Sequence, residues 1–441
     1  MEFPITEKGT NVPIMRTRAK RAVLFYFQEI SGMRKNKRFF KGIFMLGLCM
    51  VVMLSVKTFD EAIPKRIYLK SGESASYHFE VPVKVVTKDK AVEVSENSRN
   101  TKVDGARNTY EITCLLFGLF PVRDVEVVLV EDKSVYASGV PIGIYANTKG
   151  VLVIGTGSVA LSDGAKECPA ENILKPGDYI INVNGEKVDE KEQLQELVQN
   201  SGGSQEKIGL LRKNAYLEVE VEPVKGEKGN YMLGVWVKDD LAGIGTMTYY
   251  DGQGNFGALG HAISDGDTGE QLLMEEGHIY KADILGIKKG EKGNPGELSG
   301  LIEYRSGSRL GSITNNTEIG IYGKLEENIE KIPTGINCRL GYKQEIKLEK
   351  AYVLSSIDGE RKPYEIEIES LDFGGREKNK GILFRVTDET LLSKTGGIVQ
   401  GMSGSPILQN DKLVGAVTHV FVNDPTRGYG IFIENMVEAA K

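Results

Sequence analysis

The chain has 441 residues, 40% of them hydrophobic and 26% charged. That is enough for a membrane segment and two or three domains, each with its own core, and too balanced for a disordered chain. The net charge of -6 hides ten Lys/Arg against three acids in residues 1–41, which leaves about -13 on the remainder. A body so acidic excludes nucleic acid as its partner.

In chain order, residues 1–41 read as a basic cytoplasmic head. Residues 42–56 (GIFMLGLCMVVMLSV) carry no charge. With Phe39 and Phe40 the run approaches the ~20 residues a spanning helix needs. The positive-inside rule puts residues 58–441 outside the cytoplasm. An uncleaved anchor is favoured over a signal peptide, because the head is long and no small-x-small site follows Met50. Cys49 lies in this run. Cys114, Cys168 and Cys338 remain, an odd number that excludes a fully paired disulfide framework. Neither they nor the four histidines have metal-site spacing, so no metal and no cofactor is expected.

Residues 58–130 alternate apolar and polar residues in RIYLKSGESASYHFEVPVKVV and VRDVEVVLVE, which predicts a small β-rich linker or stalk. Residues 131–224 follow with strand candidates at 139–147, 150–157 and 175–188. A helix is predicted over 189–202 from Leu194, Leu197, Val198 and the terminating Gly202, and a hairpin closes the unit. Strands beside one such helix make a slot that a peptide can enter as an added strand. This stretch, LKPGDYIINVNG above all, resembles a PDZ domain. The resemblance implies that Val140, Pro141, Ile142 and Gly143 form the loop whose amides receive a peptide C-terminus. It puts the groove between Ile142–Ile144 and the helix at 190–199.

Residues 225–441 hold many short strand candidates with glycine turns, and short helices near 267–277 and at 433–440. The expected class is mostly β, as a barrel, a pair of barrels or a sandwich. The chemistry is concentrated in Gly401-Met402-Ser403-Gly404-Ser405-Pro406, ahead of a hairpin turning at Asn410-Asp411. A serine between glycines presents its hydroxyl for nucleophilic attack, and the amides of Gly401 and Ser403 form an oxyanion hole. Its base is a histidine. His78 falls in the stalk and His278 sits among charges. His261, flanked by glycine in FGALGHAISDGD, is the choice and His419 the runner-up. A base 142 residues before the serine fits a cleft between two barrels. For the group orienting the imidazole, Asp388, Asp265, Asp267 and Asp372 are all open.

GxSGxP with an upstream histidine resembles the chymotrypsin-like serine peptidases. LGHAISD with GIVQGMSGSPILQNDKLVGAVTHVFVNDPTRGYGIFIENM resembles, more closely and over nearly the whole chain, the stage IV sporulation protein B family. That resemblance implies a triad of Ser403, His261 and Asp388, although chymotrypsin-like enzymes keep their aspartate far from the serine. Met402 stands where digestive members carry an aspartate, so activation should not depend on an N-terminal ion pair. It further implies an extracytoplasmic endopeptidase, in the forespore intermembrane space, that cuts a membrane-protein regulator and itself to trigger sigma-factor activation. Self-recognition and targeting fall to the PDZ domain. The alternatives are a catalytically inactive PDZ scaffold and a broad-specificity quality-control protease.

Overall fold

The computed structural model describes residues 42–47, 50, 62–70, 74–76, 82–87, 92–94, 100–103, 108–326, 334–374 and 377–440. It divides the chain into Met1–Asp60 and Glu61–Lys441. In the first unit, residues 42–47 and 50 are helical and exposed. The basic head and most of the 42–56 run lie outside the described residues. No described helix is long and apolar enough to cross a membrane.

The second unit begins with a four-stranded sheet in the order Arg66–Lys70, Phe120–Val130, Thr109–Leu116, Val83–Val86. Period-2 alternation puts Ile67, Val85, Ile112, Cys114, Val125 and Val127 on one buried face. This region packs against the rest of the unit, with Tyr68 stacked on Tyr342 at 5.1 Å between ring centroids.

Beyond residue 134 the strand pairings return on themselves twice. The first cycle runs Ser134–Thr156, Val235–Tyr250, Asn255–Ala258, Gly320–Leu325, Arg309–Thr317, Met274–Lys288 and back to the start. Its interior holds Ile142, Ile144, Met247, Phe256, Ile279 and Ile321. The second runs Lys350–Ser355, Lys362–Leu371, Ile382–Val386, Asp424–Phe432, Lys412–Phe421, Pro406–Gln409 and back. Val353, Ile366, Phe384, Ile407 and Val417 fill it. Ile336–Leu340 joins the two, antiparallel to Ser134–Thr156 and parallel to Lys412–Phe421. The hairpin at Asn410-Asp411 forms as the sequence suggests, both residues having positive φ (52° and 59°) as a tight two-residue connection requires.

Ser134–Thr156 is one strand of 23 residues that serves more than one core. Its first part belongs to the first cycle, while Val151 and Val153 enter a third core with Ile180, Leu194, Val198, Ile208 and Leu210. Val235–Tyr250 runs antiparallel beside it through both regions. The helix of the third core is Lys191–Asn200, with a capping box in which Gln193 accepts from the amides of Asp189 and Glu190. The expected domain start at 131 therefore needs correction: residues 134–148 pair inside the first cycle. The expected helix near 267–277 is replaced by a turn and then the strand Met274–Lys288. There the Asp265 carboxylate accepts from the amides of Asp267 and Thr268 and closes the chain into a turn.

Candidate active site

Ser403 precedes the strand Pro406–Gln409 of the second cycle, and His261 follows the strand Asn255–Ala258 of the first. Both line one cleft of about 470 Å³, together with Gly401, Thr418 and His419. Ser405, two residues on, is fully buried, whereas Ser403 is partly exposed. The turn holding Ser403 is pinned across the cycles by residues that sequence reading missed. Thr246 donates through Oγ1 to Gly401 O at 2.8 Å, and its amide donates to Ser403 O at 3.0 Å. Thr248 Oγ1 donates to Gly404 O at 2.8 Å. The only signal for them was the period-2 spacing of two threonines in GIGTMTYY. Gly404, with φ of 95°, is fixed by sterics, since a Cβ there would lie 2.0 Å from Thr246 O.

Among the described residues no backbone carbonyl is paired with the amides of Gly401 and Ser403. The Ser403 hydroxyl donates to Thr418 O at 3.0 Å, not to the imidazole.

The loop carrying His261 is held by Asn316, also missed, which accepts from Ile263 N and donates to Ile263 O and Leu272 O. His261 Nδ1 lies 2.8 Å from Ala262 O. A carbonyl only accepts, so Nδ1 carries the proton and Nε2 keeps the lone pair a general base needs. Burial pushes the His261 pKa below its usual 6.5, and the bond to Ala262 opposes that shift. His419 stands across from it, with ring centroids 5.6 Å apart. Burial, then the neighbouring His261, push His419 down to about 4. Its Nδ1 is buried without a partner.

The expected third member of the triad is not brought to this pair, which corrects the expected geometry. Asp388 is the N-cap of the helix Glu389–Thr395: one carboxylate oxygen accepts from Leu391 N at 2.9 Å and the other from Glu365 N at 3.4 Å. The other candidates are also engaged elsewhere. Asp265 and Asp267 both pair with Lys238, and Asp372 accepts from Gly374 N. No hydrogen bond links any of the four to His261 among the described residues. Of the remaining histidines, His278 pairs with Glu276, and His78 lies outside the described residues.

Val140, Pro141, Ile142 and Gly143 are likewise not a terminal loop. They sit mid-strand, Val140 to Gly143 opposite Met247 to Ile244, with Ile142 and Gly143 also opposite Lys281 and Tyr280. Both edges are occupied at Ile142 and Gly143, where a peptide has no place to add.

Ser403 from the second cycle and His261 from the first thus line one cleft. Residues 229–437 match the SpoIVB peptidase S55 family and residues 161–212 the PDZ domain family. The chain therefore carries a SpoIVB-type S55 peptidase domain and a PDZ domain. Among solved structures, the PDZ domain of the SdrC-like protein from Listeria monocytogenes is 19% identical over 20% of this chain and 87% of that one, with a TM-score of 0.16. Rv3671c protease in an inactive form is 12% identical over 45% and 84%, with a TM-score of 0.25. The HtrA-type protease AlgW with a decapeptide is 11% identical over 69% and 63%, with a TM-score of 0.29.

Proposed function

We propose that this protein is a serine endopeptidase with a chymotrypsin-like pair of barrels, Ser403 as nucleophile and His261 as general base. The observation that carries this reading is one cleft receiving Ser403 from one cycle and His261 from the other, with the Gly401 and Ser403 amides unspent. In the reaction Ser403 Oγ attacks the scissile carbonyl, and His261 Nε2 takes its proton and returns it to the leaving amine. The two amides hold the tetrahedral oxyanion. The Ala262 carbonyl fixes the tautomer in place of a carboxylate, and Asp388 acts at a distance as a helix cap. The test is cleavage of an ectodomain substrate by the full chain and by Ser403→Ala. Loss of cleavage with folding retained supports the reading, and equal cleavage overturns it.

The family carries the reading further, to a restricted cut in a membrane-protein regulator, and in the chain itself, during endospore formation. Residues 42–56 would anchor the enzyme with its catalytic part outside the cytoplasm. For the PDZ domain we assign the peptide slot to the strand residues 235–238 beside the helix Lys191–Asn200. Gly234 has φ of 69° just before them, and Val235 and Val237 pack with Leu194 and Val198.

One observation favours a second reading, a resting form that needs activation. The Ser403 hydroxyl is engaged by Thr418 O. A bound substrate or PDZ ligand that breaks this bond would release the hydroxyl to His261.

A further inference from the structure

The loop of residues 289–296 (KGEKGNPG) joins two strands of a first-cycle hairpin, Met274–Lys288 and Glu297–Ile302, yet it lies against the second cycle. Gly290 N donates to Thr395 O at 2.8 Å, at the end of the helix leading to the nucleophile. Gly293 N donates to Val422 O at 2.8 Å. Gln400 N donates to Gly296 O at 2.8 Å, and Leu298 N donates to Gln400 O at 2.9 Å. The loop is thereby bound to the segment entering Gly401 and to the turn after the strand that holds Thr418 and His419. The close approach is built in: a Cβ on Gly396 would lie 2.3 Å from Gly290 O, and one on Gly296 would lie 2.6 Å from Val399 Cγ1.

Pro295 of this loop lines the cleft together with Ile398, Val399, Val420 and Val422. Among the described residues, no Asp, Glu, Lys or Arg lines the cleft. Thus residues of both cycles line the cleft beside Ser403, and a first-cycle hairpin lends Pro295 to it. An ionised side chain entering it would lose its water with no countercharge to replace it. An aliphatic one would bury its surface against five apolar neighbours.

We propose that the loop of residues 289–296 is the specificity-determining wall of this peptidase, with Pro295 closing the pocket beside Ser403 so that it accepts an uncharged aliphatic residue on the acyl side of the scissile bond. The inference rests on the Ser403 peptidase reading and deepens it by naming the substrate class. One methylene more or less in a hydrophobic pocket changes discrimination by roughly 10- to 200-fold. Pro295→Ala enlarges the pocket, and Val422→Phe, on the facing wall, shrinks it.

The test is peptide-library cleavage by the full chain and both variants, with diisopropyl fluorophosphate labelling of Ser403 as the check that each is folded and has its nucleophile. The wild-type chain is expected to cut after aliphatic residues at least tenfold better than after Lys, Arg, Asp or Glu. Pro295→Ala should raise kcat/KM for Phe or Tyr relative to Val about tenfold, and Val422→Phe should move the ratio the other way. A wild-type preference for a charged residue overturns the inference. So does an unchanged profile in two labelled, active variants. If the wild-type chain neither labels nor cleaves, the peptidase reading fails first and takes this inference with it.

Discussion

The Nδ1 of His261 faces the carbonyl oxygen of Ala262, the next residue in the chain, at 2.8 Å. This relationship sets the tautomer of the base without a carboxylate. It leaves the imidazole in a partly buried setting, where protonation is opposed by desolvation.

The pH dependence follows from that direction. The base works when neutral, so kcat/KM should fall as pH drops through a value below the usual 6.5. A pH–rate profile of the full chain measures it. An acid limb at or above 6.5 would mean that an anion faces the ring in the active enzyme.

Asp388 separates a triad from a cap. As an N-cap, Asp388→Asn should be nearly neutral and Asp388→Ala should cost about 1 kcal/mol, read in urea unfolding. As an imidazole orienter, Asp388→Asn should lower kcat on the order of 10⁴-fold. The bond to Leu391 N predicts the first outcome, and kcat for the Asn variant decides between them.

Thr246→Val keeps the side-chain shape and removes the bond to Gly401 O, leaving a buried carbonyl without its donor. That costs roughly 1–3 kcal/mol. In the proposed mechanism the Gly401 amide holds the oxyanion, so kcat should fall more than KM rises. An unchanged kcat in a folded variant would remove Thr246 from the positioning machinery.

His419 makes stability fall in acid. Its folded pKa, about 4, is below the unfolded 6.5, so the unfolded chain takes up the proton first. The contribution is complete above pH 6.5 and is lost as pH falls toward 4. In denaturant unfolding from pH 7 to pH 4, His419→Phe should flatten part of this slope. An unaltered slope would contradict the assignment.

The sequence signals around Ser403 and its following hairpin are local. Glycines around Ser403 and a two-residue turn at Asn410-Asp411 constrain the backbone within a few residues, whatever the rest of the chain does. The PDZ-like loop was misread for a physical reason. Gly139 and Gly150 have positive φ (69° and 79°) yet lie inside one continuous strand, where they bend it between two cores. Turn chemistry alone does not distinguish a bend from a chain reversal. Asp388 carried its cap signal in view, an aspartate just ahead of ETLLSKT. Whether a carboxylate meets a histidine far along the chain depends on tertiary packing that spacing does not encode. Thr246, Thr248, Asn316 and the loop at 289–296 escaped notice because each acts on a partner at least 44 residues away.

The most direct test of the central claim is fluorophosphonate labelling of the full chain, read by peptide mass mapping. One adduct on Ser403 is expected, absent in Ser403→Ala and much slower to form in His261→Ala. An adduct on another residue, or equal labelling of Ser403→Ala, would contradict the assignment of Ser403 as the nucleophile.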